Sequence, residues 1–222
     1  IANMSHDIRT PLTGLLGMAQ IIQNRSTDRE TQHDANLLIS SAEELLNLFN
    51  EIIELVQIES GHIKEKREDF ALFNLIQHNI NLLMPAAKHK HVSLDMRISA
   101  DVPEYLNANK ILLDRIILNL LSNAIKFTEQ GSVVLYANLS KADTDNLLLE
   151  IVVEDTGIGI PKDKQDVIFD HFSRLNPSYQ GLYKGSGLGL YTVKRYLDVL
   201  EGDIRVESQV GKGSRFTFTI PV

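Results

Sequence analysis

From Ala35 onward the apolar residues keep a three-four alternation without a slip: Ala35, Leu38, Ala42, Leu45, Phe49, Ile52 and Val56. Such a seam dictates a long amphipathic helix whose apolar stripe must be covered by other helices. The spacing predicts a helix over residues 28–60, about 50 Å long, opened by a capping box of Thr27 and Glu30 and closed at Gly61. Upstream, Ile8, Leu12, Leu15, Ala19 and Ile22 recur at four, three, four and three residues, so another amphipathic helix precedes it. The interruption at 24–27 makes the pair a hairpin. A helix of that length is not stable as one arm of a lone hairpin. Two hairpins that pair into a four-helix bundle would bury the seam, which predicts a homodimer.

One stretch of the first helix does not serve packing. His6-Asp7-Ile8-Arg9-Thr10-Pro11 places an imidazole, a carboxylate, a hydroxyl and a proline within two turns. Proline lacks an N–H and crowds the carbonyl four residues back, so the helix should bend beside His6. A helix that presents a reactive side chain to a moving partner has a use for this; a purely structural helix has none.

The formal charge of −7 argues against nucleic acid as a partner, because phosphate-backbone binding leaves a basic patch or stripe. Without cysteine there are no disulfides and no thiolate metal sites, which suits a cytoplasmic location. No apolar run approaches the roughly 20 residues that span a bilayer, and Asp114 and Arg115 break the densest stretch, so this fragment should make no membrane contact itself. The chain opens on Ile1 with neither an initiator methionine nor a signal-peptide pattern. It is therefore expected to be part of a longer protein, with room for a membrane anchor or sensor upstream; the fragment would then be the cytoplasmic part of an inner-membrane sensor.

The charged stretch 64–69 reads as a solvated linker between two domains, 1–64 and 67–222. After it the patterns predict helices over 74–88, 110–127 and 188–200, and strands over 92–98, 132–139 and 147–154. A Gly/Pro-rich polar region fills 156–187, and a hairpin closes the chain, with Phe216, Phe218 and Ile220 alternating with Arg215, Thr217 and Thr219. The fold class is α+β in two domains, helical first and then an α/β layer structure with a sheet of mixed direction.

Three features of the second domain carry chemistry. On the helix at 110–127, Asn119, Asn123 and Lys126 form a polar stripe beside the apolar face. Carboxamide oxygens and an ammonium aimed one way suit Mg²⁺ and phosphate; the alternative is an ordinary solvated face. The apolar strand that ends at Asp155 runs directly into Gly157, Gly159 and Pro161. There a carboxylate can accept from an exocyclic amine while bare backbone lets a flat ring approach, or the glycines simply make a tight turn. Finally, Gly185-Ser186-Gly187-Leu188-Gly189 opens a helix, where free N–H groups face an anion. The spacing is GxGxG, not the dinucleotide GxGxxG, and no Walker A sequence is present, so a bound nucleotide would be held by another design.

Taken together, the motifs resemble those of the two-component sensor histidine kinases over nearly the whole chain. SHDIRTPL resembles the phosphoacceptor box, NLLSNAIKFT the asparagine box, EDTGIGIP the first glycine box, IFDHFSRL the phenylalanine box and GSGLGL the second glycine box, in the family's order. The resemblance implies a dimerisation and phosphotransfer hairpin, then an ATP-binding α/β sandwich of the gyrase, Hsp90 and histidine kinase type. It implies that His6 takes the γ-phosphoryl group of ATP with Asp7 assisting, and that a response regulator receiver domain is the partner. Thr10, four residues on, would place the water that dephosphorylates that regulator. Asn123, with Asn119 nearby, would coordinate Mg²⁺ and Lys126 would contact phosphate. Asp155 would read the adenine amine in a pocket shaped by Gly157 and Gly159, while Gly185, Gly187, Leu188 and Gly189 cradle phosphates. Phe169 and Phe172 would anchor a lid over 161–184.

Some positions depart from the commonest pattern. Asn109 stands where the family usually has aspartate, Leu112 where arginine is common, Arg115 where glutamine is common and Lys184 where glycine is frequent. None of these is assigned to chemistry, but they keep open a catalytically weak, ATP-binding dimeric scaffold. A gyrase-like or chaperone-like ATPase is disfavoured by the heptad hairpin that carries His6. His33, His62, His78, His89, His91 and His171 read as surface or packing residues.

Overall fold

The computed structural model describes residues 2–61, 66–141, 147–171 and 187–222, and of residues 2–9 and 141 the backbone only. The chain divides into two compact units, Ile1–Ile63 and Lys64–Val222.

The first unit is a hairpin of α1 (Ala2–Arg25) and α2 (Arg29–Glu59). Pro11 lies inside α1, which continues through it as one helix. The residue that caps α2 is Asp28, one position after the expected Thr27. Its carboxylate accepts from the Thr31 N–H at 2.9 Å and the Thr31 hydroxyl at 2.7 Å, and these bonds hold its carboxyl below the usual carboxylate range. Asp is as good an N-cap as Thr, and Thr31 gives it a second donor that Glu30 cannot supply. At the other end Gly61 takes the left-handed φ of +67°.

Burial sorts the heptad seam into two rows. Ala35 is buried and Ala42, Phe49 and Val56 are half-buried within the hairpin, whereas Leu38, Leu45 and Ile52, also seven apart, are exposed at 58, 49 and 37%. On α1 Leu12 and Ala19 are buried while Leu15, Met18 and Ile22 are exposed. A single hairpin thus satisfies half of its own pattern.

In the second unit β1 (Glu68–Ala71) and β3 (Tyr105–Ala108) form a small antiparallel sheet. The charged stretch therefore does not run as linker through 69: Arg67 Nη2 donates to the Asn107 carbonyl and Asn107 Nδ2 donates to Asp69 Oδ1, both at 2.6 Å. The main sheet comprises β2 (Val92–Ile98), β4 (Gly131–Lys141), β5 (Leu147–Asp155), β6 (Asp203–Gln209) and β7 (Gly213–Pro221) in the order β2-β4-β5-β7-β6. Only the β2–β4 pair is parallel, giving the expected mixed sheet.

Pairing aligns Leu135 with Val153, Val153 with Phe216, Ala137 with Ile151 and Ile151 with Phe218. With a side-chain period of two, these residues share one face. Against it lie α3 (Leu72–His89), α4 (Lys110–Phe127) and α5 (Gly189–Val199). Leu113, Ile116, Ile117 and Leu121 of α4 are fully buried in this core. Asn109 caps α4, its side chain accepting from the Leu112 N–H at 3.1 Å.

Ile151 is wholly buried at the centre of the sheet, so Ile151→Ala is expected to cost about 2–5 kcal/mol in a denaturant titration. Val210→Ala, at a position 62% exposed, should stay within about 0.5 kcal/mol of wild type.

Candidate functional site

The site begins at the end of β5. Leu149, Ile151 and Val153 alternate into the core, and the same alternation places Asp155 next in that row. A carboxylate there, 6% exposed, requires donors. It has two: Oδ1 accepts from the Gly157 N–H at 2.8 Å and the Ser214 N–H at 3.3 Å.

These bonds demand close backbone packing. A Cβ on Gly157 would lie 2.4 Å from the Phe127 carbonyl oxygen, which itself accepts from the Ile158 N–H at 3.1 Å. Gly159 adopts φ +70°, and a Cβ there would meet the Gln209 carbonyl at 2.1 Å. The first glycine segment is thereby clamped between the end of α4 and the β6–β7 turn. Ser208 completes the clamp: its hydroxyl accepts from the Ile160 N–H at 2.7 Å, donates to the Gly213 carbonyl at 2.8 Å and lies 3.0 Å from the Ser214 hydroxyl. Gln165 Nε2 donates to the carbonyls of Ile160 at 2.9 Å and Ser208 at 2.8 Å.

Along α4 the polar stripe is half-buried. Asn123 Nδ2 donates to Asn119 Oδ1 at 2.9 Å, which orients both carboxamides. Gly189, the first residue of α5, is pressed against Asn119, since a Cβ on it would stand 2.9 Å from that side-chain amide. The described end of the second glycine segment thus meets Asn119 directly. Its helix starts one residue later than expected, at Gly189; Gly187 is left-handed at φ +78°, and the Leu188 side chain is fully buried. Lys126 Nζ lies 5.0 Å from the centroid of the Phe127 ring. The last turn of α4 is held by Lys90, whose ammonium donates to the carbonyls of Ile125 at 3.0 Å and of Lys126. A cation at a helix C-terminus is favoured by the axial dipole.

Other expected site residues are placed separately. Phe169 is half-buried and meets Phe216 edge-on, with centroids 6.5 Å apart. Thr10 is exposed on α1, on the helix that also carries His6 and Asp7; the side chains of His6 and Asp7, and all of Phe172 and Gly185, lie outside the described residues. Sequence reasoning did not find Ser208, Ser214, Gln165 or Lys90. Ser214 follows the Gly211-Lys212-Gly213 turn that sequence does show; Ser208, Gln165 and Lys90 each also reach a partner 35 or more residues away.

Burial raises the Asp155 carboxyl above the usual carboxylate range, against the lowering by its two backbone donors. A folded state that holds its proton more tightly than the unfolded chain is stabilised at low pH and loses that contribution as pH rises through the raised value. Asp155→Asn keeps an acceptor for both N–H groups and removes the buried charge. In thermal melts it is expected to match or exceed wild type at about pH 7 and to lose that advantage as the pH falls through the raised value, where the native carboxyl takes up its proton. A variant that melts well below wild type at neutral pH would show that the fold needs the charge.

The comparisons with known proteins agree with this geometry. The family described as His Kinase A (phospho-acceptor) domain matches residues 1–61, and that described as Histidine kinase-, DNA gyrase B-, and HSP90-like ATPase matches residues 108–222. The chain is 38% identical to the autoinducer 2 sensor kinase/phosphatase LuxQ of Vibrio vulnificus, over all of this chain and 26% of that protein. It is 36% identical to the sensor histidine kinase GacS of Pseudomonas protegens, over 99% of this chain and 24% of that protein. The chain thus spans about a quarter of the length of these relatives. Among solved structures, full-length ShkA in complex with AMPPNP superposes with a TM-score of 0.80 at 30% identity, covering 99% of this chain and 45% of that one. The histidine kinase AdeS of Acinetobacter baumannii shares the fold with a TM-score of 0.65 at 20% identity over 97% of both chains. A phosphoacceptor hairpin followed in one chain by an ATPase domain, each matched by its own family and in the order the motifs give, makes this chain a member of the sensor histidine kinases.

Proposed function

We propose that this fragment is a kinase core that moves the γ-phosphoryl group of ATP onto His6 and then to an aspartate of a response regulator receiver domain. The observation that carries this is the arrangement along α4. Near its C-terminal end the Phe127 carbonyl closes on Gly157 beside buried Asp155, and eight residues earlier Asn119 meets Gly189. That is about 12 Å along the helix axis, a span suited to an adenine at one end and phosphates at the other. Asp155 accepts from the adenine amine, Gly157 and Gly159 leave room for the ring, and the backbone of Gly185, Gly187, Leu188 and Gly189 donates to phosphate oxygens. Lys126 adds a positive charge at the phosphates, and Phe169 and Phe172 anchor the lid.

The donor set also suits Mg²⁺. Because Asn123 Nδ2 donates to Asn119, the Asn123 carboxamide oxygen is left to ligate, and no cluster of three His, Cys, Asp or Glu exists among the described residues to form a protein-only cage. Mg²⁺ takes one or two protein oxygens and completes its shell with water and phosphate; when bound it neutralises phosphate charge. The protein's remaining task is alignment, which phosphoryl transfer needs more than covalent help. His6 attacks as the neutral imidazole, Asp7 orients it and accepts its proton, and Thr10, one turn on, orients water for removal of phosphate from the regulator. The known structure of ShkA with AMPPNP, a relative at 30% identity, supports nucleotide binding by this fold.

A second copy of the hairpin would cover the exposed row of Leu38, Leu45 and Ile52 together with Leu15, Met18 and Ile22, closing a four-helix bundle. Use of ATP and of a receiver domain supports a cytoplasmic location, consistent with the cytoplasmic part of an inner-membrane sensor; no described helix is long and apolar enough to cross a membrane.

Incubation with γ-labelled ATP and Mg²⁺ should leave acid-labile label on the protein, and His6→Ala should abolish it. Absence of label despite measurable ATP binding would overturn the kinase reading. The double change Leu38→Glu, Leu45→Glu puts charges on the exposed row and should shift sedimentation from dimer to monomer without loss of ATP binding.

A further inference from the structure

We propose that Arg115 and Tyr196 form a clasp between α4 and α5 that holds the α5 N-terminus against Asn119, which makes both positioning residues for the phosphate end of the site. The proposal rests on the nucleotide reading above and adds to it two residues that touch no substrate.

Arg115 Nη1 donates to the Tyr196 hydroxyl at 2.9 Å, and its guanidinium carbon stands 6.0 Å from the centroid of the same ring. Tyr196 is 2% exposed, and burial pushes its hydroxyl up to about 12, so the oxygen keeps its proton at neutral pH and presents a lone pair to the guanidinium. Arg115 lies four residues before Asn119, on the face of α4 that continues through Asn123. Tyr196 lies seven residues after Gly189, two turns along α5 on the same face.

The two helices therefore touch at two points in antiparallel order, Asn119 with Gly189 and Arg115 with Tyr196, about 6 Å apart along α4 and about 10.5 Å along α5. The Gly189 contact is a close approach of bare backbone with no side chain to hold it. The apolar side chains of Val193 and Leu197 bury α5 but do not by themselves fix its position along the axis. A directional bond from a rigid, forked guanidinium to a buried hydroxyl supplies that constraint. It acts at the far end of α5 from Gly189 and sets where the helix begins. The backbone N–H groups at that beginning are the ones offered to phosphate.

The test separates the two ends of the nucleotide. ATP and adenosine are titrated in the presence of Mg²⁺ into the full fragment, its Arg115→Gln and Tyr196→Phe variants, and the double variant. Each single change is expected to weaken ATP about three- to tenfold, the scale of one ordinary hydrogen bond because the exposed Arg115 is screened by solvent, while leaving adenosine affinity unchanged because Asp155 and its donors are untouched. The double variant should be no weaker than the worse single one, as for a pair that acts as a unit. Unchanged ATP affinity in both single variants would overturn the clasp. So would a parallel fall in adenosine affinity, which would mean general loosening of the unit. Tyr196→Phe nearly preserves volume and so keeps the test informative where Arg115→Gln proves unstable. Failure of the unmodified fragment to take up ATP would instead remove the nucleotide reading on which the clasp depends.

Discussion

The second unit is organised around a carboxylate placed where a β-strand would ordinarily carry another Val or Ile. Asp155 ends the core-facing row of β5, and its burial is tolerable only because two backbone N–H groups point at it. That condition propagates outward. The Ser214 N–H is available because the β5–β7 register pairs Asp155 with Ser214. The Gly157 N–H is available because the chain turns at once, which only a residue without Cβ permits so close to the Phe127 carbonyl. The site is thus a consequence of how one polar group at the margin of the core is satisfied.

Much of this was legible in the residues. Long periodic elements declared themselves: α2, α4 and β2 lie within a residue or so of where spacing put them, because period and length agree over many residues. The short strands β1 and β3 did not, since four residues with one or two buried side chains leave no period to detect and β1 shares its sequence with a run of charge. The cap at Asp28 was missed by one residue because Thr27 and Asp28 are both good caps, and the choice depends on where Thr31 falls. The network of Ser208 and Gln165 is invisible in sequence for a different reason. Its partners lie 48 and 43 residues away, and nothing local marks a serine that will bridge two loops.

The two units solve the burial problem in opposite ways. The sheet unit encloses its own core: α3, α4 and α5 cover the apolar face, with residues such as Leu113, Ile117 and Phe218 wholly out of solvent. The hairpin cannot do this with two helices. Leaving Leu38, Leu45 and Ile52 bare exposes a straight apolar row that a soluble monomer does not keep without a use for it. The strict heptad spacing is wasteful in a hairpin that works alone and economical in one that pairs. The inference to a partner helix thus comes from both the spacing and the exposure, which are independent observations.

The departures from the commonest family pattern bear on whether such a core turns over. Asn109 still accepts from the Leu112 N–H, so the cap survives the change from aspartate and only its charge at the helix N-terminus is lost, a matter of about 0.3–1 kcal/mol. Leu112, 2% exposed, contributes to the core instead of carrying charge. Arg115 has found its own acceptor in Tyr196. Each of these three positions is occupied by a side chain with a defined structural role, and Lys184 lies outside the described residues. A chain that bound no nucleotide would have no reason to bond Asn123 to Asn119 and to seat Asn119 against Gly189, for half-buried carboxamides beside bare backbone gain little for stability that an apolar pair would not supply better. The arrangement is what the proposed phosphate site would need, while the choice of kinase over an ATP-binding scaffold rests on the phosphoacceptor and ATPase family matches in one chain.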